Sequence, residues 1–83
     1  MTLDDKKKAI KSKVDGEYLI LRTQLHRILG ISLEYLKIIQ KELNIPTIKR
    51  PRMLKGVKCF NYRKIRLNNA YEIAEYLEGK RGA

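Results

Sequence analysis

Four residues, Leu29-Gly30-Ile31-Ser32, do most to limit what this chain can fold into. Each side of them carries a helical apolar period. Over residues 22–29, Leu25, Ile28 and Leu29 fall at i, i+3 and i+4 and form one stripe. Over residues 33–43, Leu36, Ile39 and Leu43 form a second. Gly30 stands where the chain must leave the first helix with positive φ. Ile31 plugs the corner, and Ser32 is placed to accept a bond from an orphan amide of the second helix. The pattern reads as a compact helix-turn-helix.

A basic stretch follows. From Leu43 to Tyr71 there is no acidic residue, while Lys49, Arg50, Arg52, Lys55, Lys58, Arg63, Lys64 and Arg66 all fall in that window. Asn44-Ile45-Pro46 ends the second helix, because the residue before proline is pushed toward extended geometry. Residues 47–53 and 57–60 read as two strands joined through Leu54-Lys55-Gly56. Pro51 lacks an amide donor, so its strand must be an edge or carry a bulge. Asn61 is expected to cap a short helix over 62–67. Asn69-Ala70-Tyr71-Glu72 has capping-box-like spacing and opens a last helix over 69–78, stopped by Gly79 with a frayed end beyond. Upstream, residues 1–14 hold five lysines. They read as a basic N-terminal arm or a short helix over 5–13 capped by Asp4 or Asp5. Asp15-Gly16 is a turn signal, and Tyr18 to Leu21 is a short extended or buried segment. The expected fold is mainly α with a small β-hairpin, residues 1–17 forming the arm or helix and 18–83 the main domain.

Charge and composition narrow the partners. The 83 residues carry a net charge of +10, which points to a polyanion: nucleic acid first, an acidic membrane surface or acidic protein second. An apolar fraction of 43% supports a real core. Cys59 is the only cysteine, which excludes an internal disulfide and a cysteine-based metal site. It reads as a small half-buried strand residue. His26 stands alone, and no nucleophile–base set is evident, so neither an enzyme nor a cofactor is expected. No apolar run approaches a membrane span. The N-terminus lacks the apolar core of a signal peptide, so a cytoplasmic protein of prokaryotic, plasmid or viral origin is expected.

The order helix, tight turn, helix, basic hairpin, helix carries a resemblance. Together with Tyr18-Leu19, Leu25, Leu29-Gly30-Ile31-Ser32, Tyr35-Leu36, Ile45, Gly56, Phe60 and Ile65, it resembles the MerR-like winged helix-turn-helix family, to which phage and plasmid excisionases belong. The resemblance spans about residues 18–78. Two departures stand out. Ile20-Leu21 occupies the place where the family often puts a capping Ser or Thr, the nearest hydroxyl being Thr23. The chain also ends at Ala83, without the long dimerisation helix or effector domain of MerR regulators. The first departure leaves the start of the first helix open; the second shifts the expectation toward an excisionase-like architectural factor or a small stand-alone regulator.

The resemblance makes the second helix of the pair a recognition helix. Glu34, Tyr35, Lys37, Ile38 and Lys41 are its candidates for groove contact, and all lie off the apolar stripe. Lys can bond guanine, Glu can accept from cytosine, and Tyr can touch phosphate or a thymine methyl. Equally, Glu34, Lys37 and Lys41 fit a solvated face with paired charges. The wing candidates are Lys49, Arg50, Arg52, Lys55 and Lys58; an arginine there suits a phosphate or a narrow minor groove. Against that stands a soluble edge strand whose cations only prevent unwanted pairing. Arg22, Gln24 and Arg27, near the start and outer face of the first helix, are candidates for backbone phosphates. Tyr62, Tyr71 and Tyr76 read as packing residues.

The expected partner is double-stranded DNA, bound by two or more copies as a dimer or head to tail, because one helix and one wing read only a few base pairs. An integrase or RNA polymerase is a further expected partner. Two alternatives remain open: an RNA-binding or ribosome-associated module, and a winged-helix scaffold used for protein interaction.

Overall fold

A computed structural model describes residues 2–54 and 56–82, and for 52–54, 57–61 and 81–82 the backbone alone. The elements in chain order are α1 (Leu3–Lys13), β1 (Leu19–Leu21), α2 (Arg22–Leu29), α3 (Leu33–Glu42), β2 (Ile48–Leu54), β3 (Val57–Arg66) and α4 (Leu67–Gly82). The described residues thus form four helices and a three-stranded antiparallel sheet of order β1-β3-β2.

The N-terminal segment is a helix, not an arm. Thr2 caps it, accepting from the Asp5 amide at 3.2 Å, while the Asp5 carboxylate accepts from the Thr2 amide at 3.3 Å. This is a capping box, so Asp5 serves three residues inside the helix and neither Asp4 nor Asp5 is its cap. Ile10 is fully buried, which docks α1 on the rest of the fold. Asp15 then shapes the turn into β1, its carboxylate accepting from the amides of Glu17 at 2.8 Å and Leu19 at 3.1 Å.

The helix pair matches its sequence pattern closely, and both of its members end by the same device. After α2, Gly30 sits at φ 70° and ψ 31°. Its amide reaches the Arg27 carbonyl at 3.2 Å, and the Ile31 amide reaches the His26 carbonyl at 3.1 Å. After α3, Asn44 sits at φ 55°. Its amide reaches the Lys41 carbonyl at 3.3 Å, and the Ile45 amide reaches the Gln40 carbonyl at 2.9 Å. Both are left-handed terminations that pair otherwise orphaned carbonyls. Asn44 rather than Pro46 therefore stops α3. Ser32 caps α3 through the Tyr35 amide at 3.1 Å. His26 Nδ1 lies 3.0 Å from the Ile31 carbonyl; a carbonyl only accepts, so Nδ1 carries the proton and the ring braces the turn.

The largest departure from the sequence reading lies after Gly56. Residues 62–66 do not form a helix; of the expected 62–67 segment only Leu67 is helical, and it opens α4. Residues 62–66 continue β3, which is the central strand. Lys64, Ile65 and Arg66 pair with Leu21, Ile20 and Leu19 of β1, while Lys64 to Asn61 pair with Ile48 to Pro51 of β2. The physical reason is the partner strand. β1 is short and apolar, and its Ile20 and the facing Ile65 are both fully buried in the core. Helix α4 consequently starts at Leu67, so Asn69 lies inside its first turn and is not a cap. It also runs through Gly79. A glycine ends a helix by adopting positive φ, and Gly79 does not; it merely weakens the helix locally.

Pro51 lies on the edge strand β2, opposite Asn61. The pairing jumps from Arg52–Phe60 to Met53–Lys58, a bulge that skips Cys59 in the ladder. Because β1 covers only Lys64–Arg66, the rest of the β2–β3 hairpin projects beyond the three-stranded part. The molecule is accordingly elongated, 48 × 24 × 18 Å.

The core gathers Ile10, Ile20, Leu25, Leu29, Leu36, Ile39, Ile65 and Ile73, each under 2% exposed. Burying each such side chain contributes about 1.5–3 kcal/mol. Tyr71 and Tyr76 are half-buried and pack against this cluster, as the packing reading expected.

Candidate nucleic-acid interface

Helix α3 presents a distinct outer face. Leu36, Ile39 and Gln40 are buried, which turns Glu34, Ile38 and Lys41 outward. These lie at i, i+4 and i+7 on one stripe. Ile38 is 53% exposed, one of two large hydrophobic residues so exposed among the described residues. Lys37 flanks the stripe and meets Glu34 at 3.7 Å across one helical turn. That pair is solvated and holds neither side chain firmly. Tyr35 stands apart from the others: it is half-buried and packs against the core on the side of Lys80 in α4. Four of the five candidates on this helix therefore share a surface, and Tyr35 borders it.

The hairpin has two unlike faces, because successive residues of a strand alternate sides. One face continues the core side. Arg63 lies two residues from buried Ile65, and Lys49 is its partner across the ladder; both are exposed. The other face carries Ile48, Arg50, Tyr62 and Lys64. Arg50 Nε meets the Glu17 carboxylate at 2.8 Å. Lys64 meets Asp15 at 2.5 Å, and its ammonium also sits 5.8 Å from the centre of the Tyr62 ring. The Lys64 hydrogen bond, with the Leu19 and Glu17 amides, outweighs burial and holds the Asp15 carboxyl below the usual aspartate range. Two of the window's cations thus have carboxylate partners from the α1–β1 turn. The strands also hold Arg52 and Lys58, of which the backbone alone is described; Lys55 lies outside the described residues, as does the side chain of Cys59.

Between the helix pair and the hairpin sits Gln40, which the sequence reading passed over. It is 5% exposed. Its amide nitrogen donates to the Ile45 carbonyl at 3.3 Å and to Thr47 Oγ1 at 2.8 Å, and its Oε1 accepts from Arg22 Nη1 at 3.4 Å. The signal was present: a polar side chain four residues after Leu36 falls on the apolar stripe, where it needs partners. Arg22, the first residue of α2, is half-buried as a result. Burial, and then the charge of Arg63, push its guanidinium below the ordinary arginine value. Leu21 precedes α2 and makes no side-chain capping bond, so the missing hydroxyl has no local substitute. Arg27 is exposed and Gln24 half-buried on that helix, away from Arg22.

Among the described residues, no helix is long and apolar enough to cross a membrane, and no group of three or more His, Cys, Asp or Glu side chains is placed to hold a metal ion. No protein-family model, curated protein or solved structure matches the chain.

Proposed function

We propose that this protein is a non-enzymatic, sequence-specific binder of duplex DNA, built as a winged helix-turn-helix of the kind that the MerR-like and excisionase resemblance implies. It acts as a small transcription regulator or as an excisionase-like factor that shapes DNA. Helix α3 is the reader and the β2–β3 hairpin the wing. The observation that carries the reading is the outer face of α3, where Glu34, Ile38 and Lys41 stand exposed on a helix fixed at both ends. A rigid helix with an acceptor, an apolar contact and a donor in one row suits a major groove, where Ile38 would meet a thymine methyl. A projecting hairpin in an acid-free window adds the phosphate contacts. So small a reading head covers few base pairs, and specificity then comes from two or more copies side by side on DNA.

The test is binding to duplex DNA, single-stranded DNA and duplex RNA across a salt series. If about five phosphates are neutralised, the log–log slope on duplex DNA is about −4 to −5. Equal affinity for all three nucleic acids, or a flat salt response, contradicts the reading.

A further inference from the structure

Two arginines converge where α2, α3 and the sheet meet. Arg22 leans on buried Gln40 through Nη1, and its Nε is buried without a hydrogen-bond partner among the described residues. Arg22 follows Leu21 and Arg63 precedes Lys64, the pair that ends the β1–β3 ladder, so Arg63 stands beside Arg22 at the open end of that ladder, on the strand face of buried Ile65. It is exposed, yet close enough for its charge to disfavour the charged form of Arg22. Among the described residues neither has a carboxylate partner, unlike Arg50 and Lys64 nearby. Like charges held together on rigid elements raise the free energy of the unliganded protein. Guanidinium forks match the oxygens of a phosphate, and one anion between them removes the repulsion.

We infer that Arg22 and Arg63 together clamp a single phosphate of the DNA backbone. The inference rests on the duplex-DNA reading and adds to it the contact that sets the register of α3 in the groove. Gln40 supports Arg22 from the buried side, so the fork is partly ordered before the phosphate arrives.

The test uses the full chain labelled with nitrogen-15. The Nε–Hε resonances of Arg22 and Arg63 are followed while random-sequence duplex DNA, and separately inorganic pyrophosphate, is added. The clamp requires both resonances to move together with each probe. In parallel, the salt slope of duplex binding is measured for Arg22→Gln, Arg63→Gln, the double variant and the control Lys8→Gln. One shared phosphate predicts that the double variant loses about 0.9 of slope and that neither single variant loses more. A loss of about 1.8 in the double variant means two separate phosphates and overturns the clamp. So does an equal loss in Lys8→Gln, or a duplex that binds while both resonances stay still. Resonances that move with pyrophosphate in a protein that does not bind duplex DNA uphold the clamp and remove the DNA reading instead. Should Arg22→Gln fail to fold, Arg63→Gln decides the matter: the clamp requires that it abolish the pyrophosphate response of Arg22.

Discussion

Gly30 and Lys6 show how single residues limit this fold in opposite ways. Gly30 occupies left-handed backbone, and a Cβ there would meet nothing within 4 Å. Its constraint is therefore conformational and not steric crowding. Gly30→Val should lower the unfolding free energy by on the order of 1–2 kcal/mol, measured by urea denaturation, with Gly30→Asn closer to wild type. Lys6 is 4% exposed and its ammonium has no hydrogen-bond partner among the described residues. Removing an unpaired buried charge while keeping the stem's volume relieves desolvation, so Lys6→Met should stabilise the protein by about 1 kcal/mol or more. A lower melting temperature for that variant would mean that the ammonium has a partner in solution. Gly30 was legible in the sequence because a glycine between two helical periods has one obvious use. Lys6 was not, because burial of one lysine in a run of three depends on which side of α1 meets α4 and α2, and that is a tertiary matter.

At the scale of elements, the α2–α3 pair was readable because its apolar stripes and caps are local. β3 was not. Tyr62-Arg63-Lys64-Ile65-Arg66 has no strong period of its own, and becomes a strand because Ile65 finds Ile20 more than forty residues away. The exposed row Glu34, Ile38 and Lys41 was legible for the same reason as the helix that carries it. The junction behind it was not, since Gln40 meets Arg22 and Thr47 only after the helices and sheet have packed. Gln40→Leu would leave Arg22 Nη1, the Ile45 carbonyl and Thr47 Oγ1 short of a partner. Losing one buried partner costs about 1–3 kcal/mol, and faster amide exchange at Ile45 and Thr47 would localise the damage. A further tie between elements, Asp15 to Lys64, joins the α1–β1 turn to β3. The Asp15 carboxyl is held below its ordinary value, so its contribution is present above the unfolded-state pKa, near 4. It is lost as pH falls through the lower folded-state value. Thermal stability should therefore drop in acid, and Asp15→Asn should show a smaller drop over the same range. An unchanged acid profile in that variant would remove Asp15 from the explanation.

For the whole molecule, the proposed function divides holding from reading. In the proposed function the hairpin is the holder: its cations would act on phosphates and so on every duplex alike. Arg50 is already tied to Glu17, which makes Lys49 and Arg52 the better pair to remove. The outer face of α3 is the proposed reader, so its residues would act on the difference between sequences. The most direct test is competition binding. A preferred duplex is first selected from a random pool, and its affinity is compared with that of a scrambled duplex for three proteins, each verified as folded. These are wild type, Ile38→Ala with Lys41→Ala, and Lys49→Ala with Arg52→Ala. The account predicts that the α3 variant loses discrimination by about 1–3 kcal/mol per lost base contact while non-specific affinity changes little. The hairpin variant should weaken on both duplexes nearly equally, with a salt slope shallower by about 1–2. An α3 variant that keeps its discrimination while the hairpin variant loses it would contradict the assignment of reader and holder, and a pool that yields no preferred duplex would contradict sequence-specific binding itself.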